Sequence, residues 1–200
     1  MSKWIKYYLL AYNLSAFVFW ALYLLYFLDN RLRLGTYNLP LLNIAQGMAL
    51  LEIFHVLVGW IKSPLSSTIA QVLSRLLILV LINIYFDSGP LPSTARTGMI
   101  IVSLALGITE LVRYSFYFTG LLGFTPRWLM AMRYTFFIVL YPLGVTGEFL
   151  ILFTPMVSES GLPVTYIAFT IVVSLVYIYY FPVLYKYMWK QRRLKLTNPA

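Results

Sequence analysis

Six stretches of this chain are apolar and come close to the roughly 20 residues that a membrane-spanning helix requires. They run Lys6–Leu28, Asn43–Ile61, Leu65–Phe86, Gly98–Thr119, Trp128–Phe153 and Pro163–Tyr187. Hydrocarbon offers no partner to a backbone amide, so a run of this kind crosses as a helix. Turn signals separate the runs: Asp29-Asn30, Asn38-Leu39-Pro40, Lys62-Ser63-Pro64, Asp87-Ser88-Gly89-Pro90 and Ser158-Glu159-Ser160-Gly161. The connections are short. The expected fold is therefore an all-α integral membrane protein, one compact bundle of six transmembrane helices over residues 1–200 with no soluble domain attached. The first run is too long for a signal-peptide core and no small-residue cleavage site follows it, so it is expected to stay as a span.

Apolar residues fill 61% of the 200 positions and charged residues 10%, against roughly 25% charged in a soluble domain. A water-facing shell of ordinary size cannot be built from that, and lipid is the expected solvent. The net charge of +9 is carried at loops and ends, with Lys186, Lys190, Arg192, Arg193 and Lys195 as a basic tail and Lys3 and Lys6 at the start. Such clusters beside apolar spans meet anionic headgroups or an anionic substrate; with no basic face elsewhere, nucleic acid is not expected as a partner. The chain has no cysteine, which excludes disulfides, thiolate metal sites and a cysteine nucleophile. Its one histidine, His55, makes a histidine-built metal site unexpected as well.

Lys and Arg outside the spans set the orientation. Six crossings put both termini on one side together with the second and fourth loops. That side collects nine basic residues (Lys3, Lys6, Lys62, Arg127 and the five of the tail) against Arg31, Arg33 and Arg96 on the other. Both termini are thus expected in the cytosol.

Seven ionisable residues remain inside the runs: Glu52, His55, Arg75, Glu110, Arg113, Arg133 and Glu148. An unpaired charge at mid-bilayer costs at least ~2.5–3.5 kcal/mol, so such groups turn inward and pair. Glu52 and His55 are three residues apart, as are Glu110 and Arg113, so each pair shares a helix face. Glu52, Arg75 and Glu110 also lie at similar depth, which makes pairing between helices reasonable. The plain expectation for Glu52, Arg75, Glu110 and Arg113 is a lock between helices, with a functional role as the alternative. His55 is expected as a hydrogen-bonded core histidine ahead of a catalytic base.

The fifth run differs. Tyr141 and Glu148 are seven residues apart, and at about 100° per residue this brings them to nearly one face, two turns apart. Pro142 cannot donate its backbone hydrogen bond, so the helix should loosen near Ile138. Gly144 lies between the two polar groups and is expected to let a ligand approach the backbone. A phenol and a carboxylate on one groove can act as an acid–base pair or as a structural hydrogen bond.

With these residues the chain resembles the very-long-chain (3R)-3-hydroxyacyl-CoA dehydratase family, also described as protein tyrosine phosphatase-like membrane proteins. The strings that carry the resemblance are Leu51-Glu52-Ile53-Phe54-His55 with Gly59, Ser63-Pro64 and Thr68, and Gln71-Val72-Leu73-Ser74-Arg75. Ile108-Thr109-Glu110-Leu111-Val112-Arg113-Tyr114 with Phe116-Tyr117, the run from Arg133 to Glu148, and Tyr185 through Arg193 complete it. It covers most of the chain from about Leu9 onward.

The resemblance implies a six-span enzyme of the endoplasmic-reticulum membrane. It would remove water from a (3R)-3-hydroxyacyl-CoA to give the trans-2-enoyl-CoA, the third step of the fatty-acid elongation cycle. It assigns catalysis to Tyr141 and Glu148, with Arg133, Glu52, His55, Gln71, Arg75, Glu110, Arg113 and Gly144 as supporting or structural residues. CoA enters as part of the substrate, with no separate cofactor and no metal. The other enzymes of the cycle, a condensing enzyme and reductases, are the implied partners. The final residues, Leu196-Thr197-Asn198-Pro199-Ala200, carry no di-lysine retention signal, so the organelle rests on the resemblance.

Dehydration takes a proton from the carbon alpha to the thioester and expels the beta hydroxyl, which needs a base, a donor and stabilised thioester oxygen. Glu148 is expected as base and Tyr141 as donor, the reverse pairing or a Glu148 shuttle being the alternatives. Arg133 is a candidate for thioester contact or for an ion pair. The CoA headgroup would stay at the basic cytosolic end. A small membrane carrier and a non-catalytic scaffold of the elongation complex are the rival readings of the same polar residues.

Overall fold

The computed structural model describes residues 2–32, 39–61, 63, 65–87, 92–158 and 161–197. Every regular element among them is a helix: α1 Lys3–Leu32, α2 Leu39–Gly47, α3 Ala49–Leu57, α4 Leu65–Asp87, α5 Ser93–Leu122, α6 Arg127–Arg133, α7 Phe137–Ser158 and α8 Val164–Thr197. Five stretches are long and apolar enough to cross a membrane: Lys3–Asp29, Pro40–Leu57, Ser93–Leu122, Arg127–Ser158 and Val164–Leu196. The chain is a multi-pass membrane protein. The third expected run forms α4, whose apolar stretch Gln71–Asn83 is shorter than the other five.

Three of the expected boundaries move. Asp29-Asn30 does not end the first helix, because two polar residues at a helix end break nothing without Gly or Pro, and α1 continues to Leu32. The second run is two helices joined at Met48, whose carbonyl is shared between the Leu51 amide (3.1 Å) and the Tyr12 hydroxyl (2.9 Å). The fifth run is also two helices, α6 and α7, separated at Tyr134-Thr135-Phe136. Gly123 ends α5 with φ +97°, a left-handed conformation that glycine adopts without steric cost. The expected turns at Asn38, Lys62, Pro64, Ser88-Gly89-Pro90 and Glu159-Ser160 lie outside the described residues, as do Arg33 and the last residues Asn198-Pro199-Ala200.

Helix α5 is the centre of the bundle. On one flank Tyr12, Ala16, Trp20 and Tyr23 of α1 and Leu42 and Ala45 of α2 pack with its Tyr114. On the other, Met99 and Val102 of α5 meet Ile78, Leu81 and Ile82 of α4 and Ile151 and Leu152 of α7. Two glycines bring α5 and α7 into backbone contact. A Cβ on Gly98 would fall 2.7 Å from the Gly147 carbonyl, and one on Gly147 would fall 2.9 Å from the Gly98 carbonyl and 2.8 Å from Val102 Cγ2. Small residues at a crossing of this kind let membrane helices approach to van der Waals contact.

Helix α8 is mostly uncovered and touches the bundle along one stripe. Tyr166, Phe169, Val173, Tyr177, Phe181, Tyr185 and Trp189 recur every three or four residues on its half-buried face, while Leu175, Ile178, Tyr179 and Val183 are exposed. Exposed apolar side chains on a spanning helix face lipid.

Candidate active site

The first turn of α7 is irregular for a reason written in the sequence. Ile138 and Val139 donate to Thr135 and Phe136 at 3.0 and 3.2 Å, three residues back, which tightens the turn. Pro142 has no amide hydrogen to give the Ile138 carbonyl. The Tyr185 hydroxyl of α8 takes that place, donating to Ile138 O at 3.2 Å. Where a loosened turn was expected near Ile138 the backbone is tightened, and the carbonyl that Pro142 leaves without an amide is met by a side chain from the next helix.

Tyr141 follows directly. Its ring stacks on Phe181 with centroids 5.0 Å apart and planes 3° apart, and on Tyr185 at 6.3 Å and 13°. Phe181 and Tyr185 pack on each other at 5.6 Å, so three near-parallel rings, each touching the other two, form a cluster that fixes the phenol of Tyr141. Among the described residues the Tyr141 hydroxyl makes no hydrogen bond, and the ring is half-buried.

Two turns further along α7, Glu148 is buried. Its Oε2 accepts a hydrogen bond from the Tyr177 hydroxyl at 2.7 Å. Glu148 lines a narrow crevice with Ile78, Phe149, Leu152, Val173 and Tyr177 that is too tight to admit a water molecule. The two contacts made by α8 repeat with helical spacing: Tyr177 meets Glu148 and, four residues on, Phe181 meets Tyr141. An antiparallel α7–α8 pair therefore holds the phenol and the carboxylate along one seam.

Gly144 does not serve as expected. It is buried, and a Cβ there would meet Ala105 of α5 at 3.8 Å, an ordinary contact on the side of α5. The close approach is made by Gly147, one turn on, to a helix and not to a ligand.

Four of the remaining in-span charges, Glu52, Arg75, Glu110 and Arg113, form one network on the α5 side. Arg113 donates to Glu52 through both terminal nitrogens, at 2.5 and 2.6 Å, and through Nε to Glu110 at 2.9 Å. Arg75 of α4 pairs with the fully buried Glu110 at 2.7 Å. Tyr114 donates to Glu52 Oε1 at 2.8 Å, and the Tyr12 hydroxyl, whose shorter bond goes to Met48 O, lies 3.4 Å from the same oxygen. These bonds connect α1, α3, α4 and α5. His55, fully buried, shares a hydrogen bond of 3.0 Å with Tyr8 and packs edge-on against Tyr12 at 4.7 Å.

Two expected members stand apart. Arg133 lies with its guanidinium 6.0 Å from the centre of the Tyr117 ring and has no carboxylate partner among the described residues. Gln71 has an exposed side chain and contributes a backbone carbonyl to Ser74 at 3.0 Å. The sequence assigned no role to several tyrosines: Tyr12 and Tyr114 border the ion network, Tyr8 holds His55, and Tyr177 and Tyr185 meet α7. A four-residue spacing at 173, 177, 181, 185 and 189 was the available signal, hidden in a run that is apolar on every face. Among the described residues no group of three acidic or histidine side chains could hold a metal.

The family described as "Protein tyrosine phosphatase-like protein, PTPLA" matches residues 46–198. The "Very-long-chain (3R)-3-hydroxyacyl-CoA dehydratase PASTICCINO 2" of Arabidopsis thaliana is 33% identical, over 96% of this chain and 93% of its own. The "Very-long-chain (3R)-3-hydroxyacyl-CoA dehydratase hpo-8" of Caenorhabditis elegans is 36% identical over 76% and 74%. The "Very-long-chain (3R)-3-hydroxyacyl-CoA dehydratase 2" of Homo sapiens is 32% identical over 96% and 81%. No solved structure matches the chain significantly. With a match of that extent across the α7 seam and the ion network, the chain belongs to the protein tyrosine phosphatase-like family, in which its relatives are named as dehydratases.

Proposed function

We propose that this chain is a hydro-lyase that converts (3R)-3-hydroxyacyl-CoA to trans-2-enoyl-CoA in the fatty-acid elongation cycle. The observation that carries the reading is the Tyr141–Glu148 seam, in a chain matched across its length by relatives named for that activity. Glu148 takes the proton from the carbon alpha to the thioester. Tyr141, with its hydroxyl free of any partner among the described residues, gives a proton to the departing beta hydroxyl. The Cα–H and Cβ–O bonds break, the Cα–Cβ double bond forms, and water leaves. Return of the proton from Glu148 to Tyr141 resets the pair. CoA is part of the substrate, and the reaction calls on no further cofactor or metal.

Polarity along α8 supports one direction of entry. Tyr141 is stacked nearer the basic end of α8 than Glu148 is. Eleven residues separate Phe181 from Arg192, about 17 Å at helical rise, and the thin pantetheine arm of CoA would cover that interval. Its anionic headgroup would then lie among Lys186, Lys190, Arg192 and Arg193. The acyl tail would pass Glu148 along the apolar crevice between Ile78, Leu152 and Val173, which would have to open to admit it.

In this reading α4 is a sixth span, both termini face the cytosol, the membrane is that of the endoplasmic reticulum, and the condensing enzyme and reductases of the cycle are partners. Purified protein in detergent should turn over (3R)-3-hydroxyacyl-CoA to the enoyl product. Turnover of neither short nor long acyl chains would contradict the reading and favour a carrier or scaffold.

A further inference from the structure

The carboxylate of Glu148 is not symmetric in its surroundings. Oε2 receives the Tyr177 hydroxyl at 2.7 Å, whereas Oε1 makes no hydrogen bond among the described residues. Glu148 and Tyr177 face the same narrow crevice, the one bounded by Ile78, Phe149, Leu152 and Val173. Tyr177 is itself held: its ring packs against Phe149 at 5.4 Å, one residue after Glu148, and α8 is pinned on either side by Tyr166 to Leu152 O (2.8 Å) and by Phe181 on Tyr141.

A carboxylate side chain has three rotatable bonds, and a base must present one oxygen to a C–H bond in a fixed direction. We propose that Tyr177 is the positioning residue of the dehydratase site, binding Glu148 through Oε2 so that Oε1 faces the alpha carbon of the substrate. The proposal rests on the reading of Glu148 as the base. Tyr177 acts through Glu148 and does not replace Tyr141: its hydroxyl hydrogen is committed to the carboxylate, while that of Tyr141 is uncommitted. A hydrogen bond to a charged group is among the stronger kinds. Where that bond serves orientation in the transition state, its loss lowers kcat by about 10–100-fold.

The test uses the full chain in detergent, comparing wild type, Tyr177→Phe and Glu148→Gln. The Phe variant keeps the ring packing on Phe149 and removes only the hydroxyl. The expected result is a folded chain, somewhat less heat-stable for the lost hydrogen bond, whose kcat is lower by about 10–100-fold with KM changed less than about threefold. A second readout needs no turnover. The infrared difference between wild type and Glu148→Gln isolates the Glu148 carboxyl band, and Tyr177→Phe should shift that band. An unshifted band, or wild-type kcat in Tyr177→Phe beside an inactive Glu148→Gln, overturns the positioning role while leaving Glu148 as base. A Tyr177→Phe chain that fails to fold overturns it too, since the hydroxyl is then structural. Full activity in Glu148→Gln overturns the reading of the base, and the positioning role with it.

Discussion

Arg113 grips Glu52 with both terminal nitrogens, at 2.5 Å to Oε2 and 2.6 Å to Oε1, and joins α5 to α3 across the middle of the bundle. Its Nε holds Glu110 on its own helix at the same time. A planar fork can satisfy two carboxylates in this way and an ammonium cannot. Arg113→Lys should therefore lower the melting temperature in detergent, and Glu52→Leu should lower it further. Removing one member of a buried ion pair leaves a charge uncompensated, which costs about 3–5 kcal/mol. Either variant melting like wild type would show that the network is dispensable to the fold.

The glycines of α7 give opposite expectations. Gly147→Ala places a methyl 2.9 Å from a backbone oxygen and 2.8 Å from Val102, and a backbone contact cannot rotate away. Overpacking of this kind costs about 1–3 kcal/mol. Gly144→Ala meets only Ala105 at 3.8 Å and also gains helix propensity, so its melting temperature should equal or exceed that of wild type. Thermal melts of the two single variants decide between this assignment and the reverse.

How much of this was legible in the sequence differs by residue. The in-span charges were, because burial in lipid forces Glu52, Arg75, Glu110 and Arg113 to find one another and only a few spacings allow it. Tyr141 and Glu148 were as well, from a seven-residue interval that any helix preserves. The role of Gly147 was not, since a glycine stripe in an apolar helix does not say which neighbour it meets. Nor was Tyr177: in lipid both faces of a helix are apolar, so the stripe that turns inward leaves no hydrophobic period to read. The break between α6 and α7 was not: Trp128–Phe153 reads as one run with a loosened turn near Ile138, whereas a second helix starts at Phe137.

Tyr185 and Pro142 should be energetically coupled. The Tyr185 hydroxyl satisfies the Ile138 carbonyl that Pro142 leaves without its amide. Tyr185→Phe should cost about 1 kcal/mol in the natural chain. In a Pro142→Ala background, where the backbone amide returns, the same substitution should cost clearly less. Equal costs in the two backgrounds would remove the link. A double-mutant cycle of melting temperatures measures it.

Charge at the end of α8 should act on substrate capture. Neutralising Lys186, Lys190, Arg192 and Arg193 together should raise KM for the acyl-CoA several-fold at low salt, with kcat changed less. The difference should shrink near 1 M salt, where screening acts within about 3 Å. An unchanged KM at low salt would place the CoA headgroup elsewhere.

The most direct measurement is conversion of (3R)-3-hydroxyacyl-CoA to trans-2-enoyl-CoA by wild type, Tyr141→Phe and Glu148→Gln, each first confirmed as folded by its melting curve. Proton transfer by a positioned side chain contributes about 10²–10⁴-fold. The account predicts an active wild type and a loss of at least several hundred-fold in each variant. An active wild type whose two variants keep its rate would contradict the acid–base seam between α7 and α8.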